Sequence, residues 1–238
     1  MDALVQLGFL GCAPGCALLG CMSETVLPGM PDGADFRALA ASSPWRFTTM
    51  HFTHRRQSKG GATAEGVPYG GAVGGAGDEL SLPGTGVVLR PDGLVAQRPE
   101  GWHLDHGDPM WQDYQWTAML DPIELDQGVE IGDVTATVLR GRATWAATCR
   151  PLPGQGEDWV GGYLPRCGCC PMLDSPASRI YEYGTEDPTL TDDLATVYRV
   201  HLDVRTGIVV DLTPLDGTEG TSFTNEIHNV DEHLDPPL

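Results

Sequence analysis

The sequence predicts an α+β fold built on a curved antiparallel β-sheet, an incomplete barrel of about eight or nine strands, with a few short helices. Three observations carry the prediction. Short runs of alternating apolar and polar residues, such as Tyr198 to Val204, recur between glycine and proline turns. The 31 glycines and 19 prolines exceed average usage, which suits many strands and turns better than a helical bundle. Few helical patterns separate the strands, so parallel β-α-β units are disfavoured. At 238 residues, 41% apolar and 20% charged, the chain lies in the range of ordinary globular proteins. We expect a flexible N-terminal segment over 1–30 and a single domain over 31–238, interrupted by a glycine-rich loop at 57–86.

A helix is expected over Asp35 to Ala41, where Phe36, Leu39 and Ala40 share one face and Pro44 closes the run. The aromatic and β-branched stretch Trp45 to Arg55 reads as a long strand. From Gln57 to Gly86 ten of thirty residues are glycine, so this segment has little to bury and reads as a mobile surface loop. Pro91-Asp92-Gly93 then joins Val87–Arg90 to Leu94–Arg98 as a hairpin, because proline presets φ and glycine supplies the positive φ of a bulged turn. Asp121-Pro122-Ile123-Glu124 offers an N-cap, a proline at the first helical position and an acidic residue at the third, and Gly128 offers a stop. A short helix follows from that.

Two more hairpins complete the sheet. One joins Asp133–Leu139 to Ala143–Arg150 around Arg140-Gly141-Arg142, and the other joins Thr196–Val204 to Ile208–Leu215 around Arg205-Thr206-Gly207. In the latter, Tyr198, Val200, Leu202 and Val204 face one way, and Arg199, His201 and Asp203 the other. Phe223 to Val230 continues the meander.

This order of elements, with Asp121-Pro122, the hairpin Val134 to Cys149 and the run Tyr198-Arg199-Val200-His201-Leu202-Asp203-Val204-Arg205-Thr206-Gly207-Ile208, resembles the lipoprotein-carrier family. That is the LolA-like fold, shared with periplasmic sigma-factor regulators of the RseB type. The likeness spans roughly residues 35–238 as a pattern of strands and turns. The chain is similar as well to bacterial proteins of this fold that end in a Val-Asp-Glu-x-Leu-Asp-Pro tail, here Val230 to Pro236. The resemblance implies an incomplete antiparallel barrel wrapped on helices, with an apolar concavity that holds acyl chains or a partner's lipid.

The residues themselves point to a binding site on the same face. Tyr198, Val200 and Leu202 pair with Ile208, Val210 and Leu212, and the short helices near Phe36 and Ile123 are too small to cover that face. An apolar groove is therefore expected, lined by these side chains and by Trp102, Trp111 and Trp116. The expected function is a non-catalytic binding or sensing module for an apolar, lipid-like ligand. Its alternative is a protein-binding regulator with a filled concavity.

Other classes fare worse. A formal net charge of −19, with Lys59 the single lysine among fourteen cations, argues against a nucleic-acid partner. Nucleophile-elbow, dinucleotide and phosphate-loop signatures are missing, so no cofactor and no catalytic residue is expected. Cys149, Cys167, Cys169 and Cys170 admit three readings: packing thiols, a Cys149–Cys167 disulfide, or a metal site. His103 and His106 flank Asp105 and are the weak metal candidates on which a hydrolase would rest. The apolar run Leu4 to Cys21 ends in Leu18-Leu19-Gly20-Cys21, which resembles a lipoprotein cleavage box, but Asp2 is the lone charge before Glu24. It falls short of the roughly 20 apolar residues of a membrane span. A cytoplasmic protein is favoured over an envelope lipoprotein anchored at Cys21.

Overall fold

The computed structural model describes residues 30–47, 50–57, 63–65, 69–71, 87–99, 114–167 and 170–231. It is an α+β structure whose antiparallel sheet curves without closing into a barrel, as the sequence predicts.

Helix α1 (Gly33–Ser42) starts two residues earlier than expected, because Asp32 caps it: its carboxylate accepts from Asp35 N at 2.9 Å, and Asp35 reciprocates. Pro44 does not end the helical turn but sits inside a 3-10 turn, Ser43–Trp45, so Trp45 lies before the strand rather than in it. Strand β1 (Met50–Gln57) follows. The glycine-rich segment carries two short strands, β2 (Thr63–Glu65) and β3 (Tyr69–Gly71), which both pair with β1. The expected proline-glycine hairpin is β4 (Val88–Leu89) and β5 (Val95–Gln97), its turn closed by Arg90 N to Leu94 O at 2.7 Å.

Helix α2 (Tyr114–Leu120) lies in the tryptophan-rich stretch, where no helix was expected. A 3-10 turn at Ile123–Leu125 replaces the predicted short helix. The long hairpin of β6 (Val129–Leu139) and β7 (Arg142–Pro151) turns at Arg140-Gly141. Helix α3 (Pro176–Tyr183), also unexpected, carries a reciprocal cap between Ser175 and Ser178. Strands β8 (Tyr198–Asp203), β9 (Val209–Pro214) and β10 (Phe223–Val230) complete the sheet where the sequence places them.

The sheet order is β2-β1-β10-β9-β8-β7-β6, with β3 also on β1 and the β4–β5 pair separate. Its curl is visible at the β6–β7 tip, where the Arg140 guanidinium comes within 3.4 Å of Val210 O and Asn225 O, across β8 and β9. Strands β9 and β10 pair at two positions, Phe223 with Leu212 and Thr224 with Asp211, and then diverge. Side chains replace the ladder there: Asn225 Nδ2 donates to Val209 O at 2.6 Å, and His54 Nδ1 lies 2.7 Å from Asn225 Oδ1. The slot that remains, about 60 Å³ between Arg140, Arg142, Asp203 and Asn225, has room for a few water molecules.

Close approach of backbone requires glycine at two junctions that position the lid. Gly207 (φ +76°) lets α1 dock on the β8–β9 turn, since a Cβ there would lie 2.6 Å from Leu39 O. Gly128 (φ +66°) would place a Cβ 2.0 Å from the Gly162 backbone. Among the described residues, no helix is long and apolar enough to cross a membrane.

Candidate functional site

The inner face of the sheet is the core. Tyr198, Val200, Leu202 and Leu212 are fully buried and Val210 nearly so. Phe36, Leu39 and Ala40 of α1, Trp116, Met119 and Leu120 of α2, and Tyr163, Met172 and Leu173 of the loop after β7 belong to the same cluster. The groove expected over Tyr198, Val200, Leu202 and Val210 does not open among the described residues. The reason is extra cover: Trp116, Met119 and Leu120 of α2 and Tyr163, Met172 and Leu173 add to the short helices near Phe36 and Ile123. Trp116 is a core residue, 4% exposed, edge-on to Phe52 at 5.7 Å. Trp102 and Trp111 lie outside the described residues, as do His103, Asp105, His106, Cys169, Cys21 and the N-terminal segment up to Gly29.

A polar hub supports this lid. Asp121, fully buried, meets Arg98 at 2.5 Å and Arg166 at 2.6 Å. Glu124, three residues further on, accepts from Arg166 N and Met172 N at 3.0 Å and from the Tyr163 hydroxyl. That hydroxyl accepts in turn from Leu173 N at 3.0 Å. Burial pushes the Glu124 carboxyl up, and burial together with the facing carboxylate raises the Tyr163 hydroxyl well above its ordinary range. Asp121 and Glu124 are therefore not the N-cap and third-position residue expected from Asp-Pro-x-Glu. The turn has Pro122 at its cap position with no side-chain cap bond, and both carboxylates hold the 163–173 loop instead. Arg37 completes the arrangement by donating to Leu125 O at 2.6 Å and to Asp126 O at 2.9 Å, which fastens α1 to the turn.

Asp203, expected on the wet face, is 1% exposed. It takes a forked Arg142 guanidinium at 2.7 and 3.0 Å and caps its own turn through Thr206 N and Oγ1 at 2.9 and 2.8 Å. These satisfied carboxylates are structural, with their hydrogen-bonding capacity engaged by the fold.

The cysteine expectations separate. Cys149, Cys167 and Cys170 are thiols, so no disulfide joins Cys149 to Cys167. Cys149 points from β7 into the core, and burial pushes its pKa up to about 12. Among the described residues, no group of three or more His, Cys, Asp or Glu side chains could hold a metal ion.

A groove does open elsewhere. Between the Ser43–Trp45 turn and the β4–β5 hairpin lies a half-open space of about 300 Å³ lined by Ser42, Trp45, Arg46, Leu89, Gly93, Val95 and Arg205. Leu89 and its neighbour Val88 are each 50% exposed. The hairpin is pinned to α1 by Val95 N donating to Ser42 Oγ at 2.7 Å, and Arg98 lies 5.2 Å over the Trp45 ring. Arg46 forms the basic wall: Nε donates to Arg205 O and Nη2 to Val204 O, each at 2.9 Å. Burial lowers the Arg46 pKa, partly opposed by Asp203 and Asp92. The Arg205 guanidinium is mostly solvent-facing, 3.6 Å from Asp231. Sequence reasoning missed this site because its apolar wall comes from residues assigned to three separate elements, and Trp45 was assigned to a strand.

No family model, curated protein or solved structure matches the chain.

Proposed function

We propose that the protein is a non-catalytic binding module for an amphipathic, lipid-like ligand, held in the groove between the Ser43–Trp45 turn and the β4–β5 hairpin. One observation carries this: an apolar wall of Trp45, Leu89 and Val95 stands beside two arginines, Arg46 and Arg205, in a chain of net charge −19. An acyl chain would cover the exposed leucine, and its carboxylate would offset the desolvation of Arg46. At about 300 Å³ the groove is at the lower end of small-molecule sites. The ligand class is the one implied by the resemblance to lipoprotein carriers; its place is the groove rather than the inner face of the sheet, which the core occupies. That filled face is also the specific observation favouring the second reading, a regulator that binds a protein on its outer surface.

Calorimetric titration with decanoate tests the proposal. An affinity on the order of 10–100 μM is expected for a ligand of this size in a half-open site. Leu89→Asp and Arg205→Glu, both at solvent-facing positions, should each weaken it about tenfold, equivalent to about 1.4 kcal/mol. Decanol, lacking the carboxylate, should bind more weakly than decanoate. No binding of decanoate, or equal binding by Leu89→Asp, overturns the proposal and leaves the protein-binding reading.

A further inference from the structure

The β6 strand ends the sheet. Its partner is β7, and among the described residues no strand pairs with its other edge. The first part of that edge is covered, because Gly33 of α1 packs close to Ile131 and Arg37 donates to Val129 O. A register shift between Gly132 and Thr135 then turns the strand, with Asp133 at φ +49°, and from Thr135 to Val138 every residue is exposed, Val138 by 69%. Exposed edges of this length normally carry a charge, a proline or a glycine that discourages pairing. Val134 to Leu139 has none of these and is rich in β-branched residues.

The segment is also a palindrome: Val134-Thr135-Ala136-Thr137-Val138 reads the same in both directions. Antiparallel pairing of two such strands about Ala136 sets valine against valine, threonine against threonine and alanine against alanine. Threonine pairs are among the favourable cross-strand combinations, and valine suits a paired strand.

We propose that β6 is a self-association edge: two copies of this chain pair antiparallel through Val134–Val138, about a two-fold axis at Ala136, into one continuous sheet. The interface is isologous, so it closes at two copies and gives no fibre. It is small, and each copy carries a net charge of −19, so the dimer is weak and repelled at low salt. Raising the salt from about 0.02 M to about 0.3 M shortens the screening length several-fold and should tighten it.

Sedimentation velocity on the full chain across about 5 μM to about 500 μM, at the higher salt, tests this, with wild type shifting from monomer to dimer. Position 136 is exposed, so substitutions there leave the core untouched. Ala136→Lys alone and Ala136→Glu alone place like charges face to face on the axis and should stay monomeric throughout. Their equimolar mixture places lysine against glutamate and should restore the dimer. A wild-type protein that stays monomeric throughout, a dimer that persists in Ala136→Lys alone, or a mixture that does not associate would each overturn the proposal.

Discussion

Replacing Tyr163 by phenylalanine removes one oxygen from the polar hub and should cost about 3–5 kcal/mol, a large part of the 5–15 kcal/mol typical of a domain. The magnitude follows from two losses. Leu173 N, which donates to the hydroxyl at 3.0 Å, becomes a buried donor without an acceptor, at about 1–3 kcal/mol. Glu124, buried, loses one of its three donors, a bond to a charged group of about 1.5–3 kcal/mol. Urea unfolding should show a lower midpoint with an unchanged slope, since the surface exposed on unfolding does not change. Tyr181→Phe, at a residue 43% exposed, is the control and should be near neutral. The deficit should also depend on pH. Burial holds the Glu124 carboxyl above its unfolded value, so its contribution is fully present below that value and is lost as pH rises through the folded one. Removing the tyrosine donor raises the folded value further. The deficit of Tyr163→Phe should therefore be larger at pH 8 than at pH 5. A loss equal to that of Tyr181→Phe, or a deficit that shrinks as pH rises, would refute the hub as described.

Asp121→Asn leaves Arg98 and Arg166 without their shared counter-charge and should cost about 3–5 kcal/mol, seen by calorimetry as a fall of about 2–4 °C in Tm for each kcal/mol. Cys149 should resist iodoacetamide in the native protein at pH 8 and react in guanidinium, because burial holds its pKa at about 12; peptide mapping that finds it labelled in the native state would contradict its place in the core.

Where local patterning decides structure, the sequence was readable. Alternation over Tyr198–Asp203 and Phe223–Val230 and the Pro91-Asp92-Gly93 turn carry their own periodicity or φ preference, and the structure has strands and a hairpin there. What escaped were residues whose role is set by partners distant in sequence. Asp121 and Glu124 have the spacing of a helix cap, but partners up to 48 residues away claim their carboxylates. Asp203 obeys the alternation of a solvent-facing position, yet Arg142, 61 residues back, makes its burial tolerable. Helix α2 is obscured in the sequence because Tyr114, Trp116 and Thr117 are weaker helix formers; its burial against the sheet, with Met119 fully covered, is what stabilises it. The groove at Trp45 depends on α1, the β4–β5 hairpin and the β8–β9 turn meeting in space, which no single window of sequence contains.

The most direct test of the binding account locates the ligand on the molecule. Amide NMR spectra with a fatty acid carrying a nitroxide on its chain report which residues lie near it. The account predicts broadening strongest at Trp45, Arg46, Leu89 and Val95, and weaker at Val200 and Leu202 inside the core. Broadening centred on Val200 and Leu202, or none at saturating probe, would contradict it.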